Sequence, residues 1–159
     1  MSRITLPRWA FALPSAALGA AVALAPPAAA APADPLTQAA CDFGWQFTTY
    51  DWANYDDYAR RVLDRSTGEF RGQFEGTVPD RRAQAQITHT RAEAVAVECR
   101  TDAADPQHAQ AVITVDQNTA SDATFGIPQQ ARTVLRVNLD NVGGRWLAGR
   151  VEPVAPPPR

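Results

Sequence analysis

The sequence predicts an α+β domain, with helices first and a curved antiparallel sheet after them. Apolar residues recur at helical spacing from Leu36 to about residue 86, the period drops to two past Ile87, and residues 140–144 carry a hairpin signal between two apolar runs. Helices placed ahead of strands imply two layers, with the first helix laid over one face of the sheet.

Leu36, Ala40, Phe43, Phe47 and Tyr50 step by alternating fours and threes, so they share one face of a helix of about four turns. Residues 51–54 interrupt the pattern, and Tyr55, Ala59, Val62 and Leu63 renew it in a second, shorter helix up to Ser66-Thr67-Gly68. Phe70 and Phe74 stand one turn apart in a third helical segment, in which Pro79-Asp80 offers a break, a kink or a fresh N-terminus before residues 81–86.

Past Ile87, Val95, Val97 and Cys99 alternate with Ala94, Ala96, Glu98 and Arg100 and are expected on one sheet face. Residues 101–108 read as a turn-rich connection, 111–115 as a strand and 118–130 as a longer polar link. Residues 133–139 and 146–151 flank Asp140-Asn141-Val142-Gly143-Gly144, whose Asn and Gly supply the positive φ angles of a tight hairpin. Pro156, Pro157 and Pro158 cannot continue a central strand, so residues 155–159 read as a Pro-rich tail.

The first 33 residues are expected to lie outside the fold. Arg3 and Arg8 form a positive start, and residues 9–25 form an uncharged apolar run that is rich in Ala, broken by Pro14 and ended by Pro26-Pro27. A spanning helix needs about 20 strongly apolar residues. The run therefore reads as a signal peptide, with small-residue cleavage sites at 28–30 and 31–33, or, if retained, as a weak membrane anchor. Either way residues 34–154 form a single exported domain, placed in the cell envelope or secreted.

Cys41 and Cys99 follow the leader, and two cysteines in an oxidising compartment allow one intramolecular pairing. A Cys41–Cys99 disulfide is expected, with two buried free thiols as the alternative. Lipidation of Cys41 fails locally, because Gln38-Ala39-Ala40 lacks the aliphatic residue such a site wants and Asp34 and Pro35 separate the cysteine from the apolar run. No Cys/His cluster suggests a metal.

At 159 residues, 45% apolar and 20% charged, the chain supports one globular core. A net charge of −2 and the absence of a basic run remove the footprint of a nucleic-acid binder. Asp51, Asp56, Asp57, His89 and Asp116 are the candidate acids and bases, and none has a distinctive spacing. Asp56 and Asp57 diverge by about 100° on a helix and suit its N-terminus better than an acid/base pair. His89 falls at a strand start and His108 in a polar loop, where a hydrogen-bonded or exposed histidine is the ordinary outcome. There is no phosphate loop, no Gly-x-Ser-x-Gly elbow and no zincin motif, so no catalytic residue and no cofactor is assigned. The aromatics Trp45, Trp52, Tyr55 and Tyr58 have two readings: packing between helix and sheet, or a recognition surface built on Trp52, Tyr55 and Tyr58.

Three segments carry a family resemblance. Residues 55–74, with Val62-Leu63, Ser66-Thr67-Gly68 and Phe70, resemble a Val-Leu-x-x-Ser-Thr-Gly-x-Phe element of the Mce-associated membrane (Mam) proteins of actinobacteria. Residues 112–117, an apolar strand ending in Val115-Asp116-Gln117, and residues 142–147, with Gly144-Arg145-Trp146-Leu147, are similar to two further elements of that family in the same order. The resemblance spans about residues 40–154. It implies a cone like that of nuclear transport factor 2 (NTF2), with three N-terminal helices against a curved antiparallel sheet. It also implies a non-enzymatic accessory or scaffold protein beside an Mce-type lipid importer, with transporter components, other envelope proteins or lipid as partners. Members of the family keep a transmembrane helix, which would be the only membrane contact. A second function compatible with such a cone is a lipid or small-molecule carrier, or a small isomerase or dehydratase using Asp116 or His89 as base.

Overall fold

A computed structural model of the chain describes residues 34–155. The expected leader, residues 1–33, and the end of the Pro-rich tail, residues 156–159, lie outside the described residues.

Helix α1 (Pro35–Thr48) starts where the sequence supplies a cap: the Asp34 carboxylate accepts from the Thr37 backbone N–H at 3.0 Å, and Pro35 occupies the first turn, where no N–H is needed. Its buried face is Leu36, Ala40, Phe43, Gly44 and Thr48. Tyr50, expected as the last residue of that face, instead pairs with Ala92 in a short strand β1 (Tyr50–Asp51). Helix α1 ends first, with Thr49 already extended and its hydroxyl accepting from the Ala94 N–H. A 3-10 turn at Trp52–Asn54 leads into α2 (Tyr55–Leu63), which buries Tyr55, Tyr58, Ala59 and Val62.

Helix α3 (Gly68–Ile87) runs through Pro79 as one helix of 20 residues. Pro79 and Glu75 are both exposed, so water can solvate the carbonyl that loses its helical donor.

The sheet has β2 (Arg91–Ala104), β3 (His108–Ala120), β4 (Gln129–Val142) and β5 (Arg145–Pro153), in the order β1-β2-β3-β4-β5 and antiparallel throughout. The expected connection at 101–108 shrinks to residues 105–107, because Asp105 accepts from the N–H groups of Gln107 and His108, both at 2.8 Å. The polar link shrinks to residues 121–128 for a related reason: the β3–β4 ladder persists to Thr119↔Gln129. At the β4–β5 hairpin, Gly143 and Gly144 have φ of 60° and 85°, and Asn141 accepts from the Gly144 N–H, as the Asn and Gly pattern requires.

The alternation in β2 is corrected. A bulge between Ala94 and Ala96 shifts the register, so Ala92 and Ala94 face the core before it and Val97 and Cys99 after it. Val95, expected beside Val97, is 52% exposed.

The concave face of the sheet is filled rather than open. Phe43, Val62, Ile113, Val115, Val137 and Leu139 are the largest fully buried side chains. Cys41 on α1 and Cys99 on β2 form a disulfide with Cα atoms 5.6 Å apart. Two of the motif segments meet: the backbone of residues 65–67 exchanges hydrogen bonds with Ala148 on β5, and Ser66 is buried. The Ser-Thr-Gly turn therefore docks the α2–α3 corner onto the strand that carries Trp146.

Candidate functional site

The aromatic residues of the first two helices and β1 converge under the sheet. Rings of Tyr50, Tyr55 and Tyr58 lie within 5.0–5.8 Å of one another, and Tyr58 also meets Phe74 at 5.9 Å. Tyr58 donates its hydroxyl to the Phe47 carbonyl at 3.0 Å, which satisfies a group that helix α1 leaves over at its end. Burial pushes all three phenols above their ordinary range, most strongly Tyr58. Tyr55 and Tyr58 are 5% and 4% exposed, so the recognition-surface reading is corrected for these two: they belong to the core. Trp52 keeps a partly exposed ring, stacked edge-on with His89 at 4.6 Å. Trp45 is exposed on α1.

Two depressions border this cluster. One, about 380 Å³, is lined by the edges of the three tyrosines together with Arg81, Thr90 and Ser121. The other, about 720 Å³, is polar and lies between β1, α2 and the ends of β2 and β3, with Asp51, Asp57, Arg61, Arg91, Glu93 and Asn118 on its walls. Arg61 donates weakly to the Thr49 carbonyl at 3.4 Å and has Asp57 at 3.8 Å.

Of the candidate acids and bases, Asp51 and Asp57 share the larger depression, and Asp56, Asp116 and His89 lie apart from it. Asp51 caps the 3-10 turn by accepting from the Ala53 N–H, Asp56 pairs with Arg82 at 2.5 Å and Asp57 pairs with Arg60. Asp116 forms a bidentate pair with Arg132 at 2.6 and 2.8 Å, and that guanidinium holds its carboxyl below the usual carboxylate range. His89 shares a hydrogen bond between its Nδ1 and Asp122 at 2.8 Å, and His108 lies exposed near Asp105. Asp116 borders a surface depression with Arg132 and Gln130, away from the aromatic cluster, so Asp116 and His89 do not face a common interior. Among the described residues no group of three His, Cys, Asp or Glu could hold a metal, and no helix is long and apolar enough to cross a membrane.

Sequence reading missed one feature of the surface. Phe125 sits in the β3–β4 loop with φ of 53° and is 91% exposed, and Ile127 beside it is 60% exposed. The only signal was a pair of large apolar residues around Gly126 inside a polar link.

Several solved structures share this architecture. An NTF2-like protein involved in plasmid conjugation superposes with a TM-score of 0.55 at 11% identity over 77% of this chain, which spans about half the length of that protein, 49%. An IcmL-like type IV secretion system protein of Legionella pneumophila has a TM-score of 0.59 at 16% identity, over 78% of this chain and 94% of that one. A ketosteroid isomerase-like protein from Erwinia carotovora atroseptica has a TM-score of 0.51 at 14% identity, over 77% and 95%. No family model and no curated protein matches the chain. Three helices on a curled five-stranded antiparallel sheet, shared with these structures, make this an NTF2-like fold.

Proposed function

We propose that the chain is an exported, non-enzymatic accessory or scaffold protein of the cell envelope that docks against an Mce-type lipid transport assembly. The observation that carries the non-enzymatic part is the filled cone: Phe43, Ile113, Val115, Val137 and Leu139 occupy the space where an enzyme on this fold would need a substrate. The separation of Asp116 and His89 into distinct surface pairs, with Asp51 used as a backbone cap, supports the same reading. Two of the similar structures come from a conjugation protein and a type IV secretion system protein, which supports an envelope scaffold. The three Mam-like segments add the Mce assembly as the partner. Residues 34–154 are then the working domain, and residues 1–33 direct export or hold the protein at the membrane.

Crosslinking in the native host followed by affinity capture tests the reading. Recovery of Mce transporter components is the expected result, and their repeated absence among recovered envelope proteins overturns the Mce assignment. Transporter genes beside its own would be the cheapest supporting observation.

A further inference from the structure

We propose that the depression bounded by Tyr50, Tyr55 and Arg81 is a binding site for the carboxylate group of a small organic acid. The site is separate from the scaffold reading and stands or falls without it.

The walls carry hydrogen-bond donors that the fold leaves unused. Tyr55 is only 5% exposed, yet among the described residues its hydroxyl has no hydrogen-bond partner, and that hydroxyl is not sealed off from the depression. The Tyr50 hydroxyl is in the same condition. Tyr58 beside them differs, because it donates to the Phe47 carbonyl at 3.0 Å. A hydroxyl nine-tenths buried without a protein partner leaves its hydrogen-bonding capacity to whatever occupies the depression. Burial keeps both phenols in the protonated form, in which they donate. Ser121 adds a third hydroxyl: it accepts the Thr124 N–H, which leaves its own hydrogen unspent.

Arg81 supplies the charge. Its guanidinium acts on the phenols of Tyr50, Tyr55 and Tyr58 alike, and among the described residues it has no carboxylate partner. The acids at hand are engaged elsewhere: Asp56 pairs with the adjacent Arg82 at 2.5 Å, and Asp122, between the wall residues Ser121 and Ala123, binds His89 at 2.8 Å. Residues 1–33 and 156–159 contain no Asp or Glu, so no acidic side chain outside the described part is left to pair with Arg81. A single positive charge among neutral donors is matched by a monoanion, and the planar fork of a guanidinium fits the two oxygens of a carboxylate. A phosphate monoester would bring nearly two negative charges against one positive.

The remaining surface sets the size and character of the acid. The depression holds about 380 Å³, near the lower end for small-molecule sites. Ala85, Ala123 and the tyrosine ring edges give it apolar wall beside the donors, so an acid with a compact hydrocarbon or aromatic body satisfies both parts. Thr88 bonds to the Gln84 carbonyl at 2.8 Å and to Thr90 at 2.6 Å, so these two hydroxyls hold the rim together and offer no further hydrogen. Neither a carboxylate nor a histidine stands on the walls to act as a base, so the site is one for binding and not for turnover.

The test titrates sodium benzoate into the full chain at constant ionic strength and follows the amide NMR shifts, with benzyl alcohol as the neutral counterpart and inorganic phosphate as the other oxyanion. The expected result is saturable binding with a Kd of about 1 mM or tighter, and the largest shifts around Tyr50, Tyr55, Arg81 and Ser121. Binding should weaken by about 10-fold in Arg81→Gln and by about 3- to 10-fold in Tyr55→Phe. It should be unchanged in Arg91→Gln, whose guanidinium lines the other depression. Arg81 is exposed on α3, so Arg81→Gln keeps the fold and decides alone if thermal midpoints show that Tyr55→Phe does not. Equal loss in Arg81→Gln and Arg91→Gln overturns the proposal, as does benzyl alcohol binding as tightly as benzoate. Inorganic phosphate binding more tightly than benzoate overturns the carboxylate assignment. Absence of saturable shifts at about 50-fold the expected Kd overturns the site, whether nothing binds there or the chain's own end fills it.

Discussion

Gly44 lies directly against Ile113: a Cβ atom on Gly44 would stand 2.8 Å from Cγ2 of Ile113 and 3.1 Å from Cγ1 of Val97. The close approach of α1 to the sheet depends on that missing methyl group, and it is made one helical turn from Cys41. Gly44→Ala should therefore destabilise the domain by about 1–3 kcal/mol through overpacking. The same change at Gly72, on the open side of α3 with no neighbour within 4 Å, should stabilise it by about 0.5–1 kcal/mol. Urea melts of the two variants check both signs.

The Cys41–Cys99 bond closes a segment of 58 residues. Replacing both cysteines by Ser should lower stability by ~2–4 kcal/mol while leaving the circular dichroism spectrum unchanged, because the main effect is to free the unfolded chain. Intact-mass analysis of protein recovered from its native host with a thiol alkylator should show no alkylated cysteine before reduction. The same spectrum tests the expected cleavage near residues 28–33.

The bulge in β2 makes opposite forecasts for two valines two residues apart. Val97→Ala should cost about 1–2 kcal/mol because its side chain packs on the core, and Val95→Ala should stay within about 0.5 kcal/mol because its side chain faces solvent. Equal costs at the two positions would mean that the strand keeps an unbroken alternation.

Tyr58 ties stability to alkaline pH. Its phenol is favoured in the neutral form on folding, so its contribution is complete below the unfolded tyrosine value near pH 10 and is lost as pH rises beyond it. Stability measured by denaturant melts should be flat up to about pH 9 and fall above 10, with tyrosinate absorbance appearing late in the folded protein. Tyr58→Phe should cost about 1 kcal/mol near pH 8, where the Phe47 carbonyl loses its donor, and should fall less steeply above pH 10.

Local chemistry determined that helices fill the stretch from Leu36 to about residue 86 and that a hairpin turns at Gly143-Gly144, since spacing and turn residues act over short stretches. The choice of a Cys41–Cys99 bond over two free thiols and the unbroken run of α3 through Pro79 were decided by the tertiary structure. Local chemistry did not determine where Tyr50 would lie, because a helix face and a short edge strand accept the same aromatic residue until Ala92 is in place across from it. Nor could alternation reveal the Ala94/Ala96 bulge, which turns Val95 outward through the register of β3 rather than through any property of valine. Tyr55 and Tyr58 were equally suited to surface or core, and the neighbouring rings of Tyr50 and Phe74 decided for the core. The filled cone, the separation of Asp116 from His89 and the exposure of Phe125 are likewise tertiary outcomes. Each depends on which distant segments meet, and a single strand or helix carries no record of its neighbours.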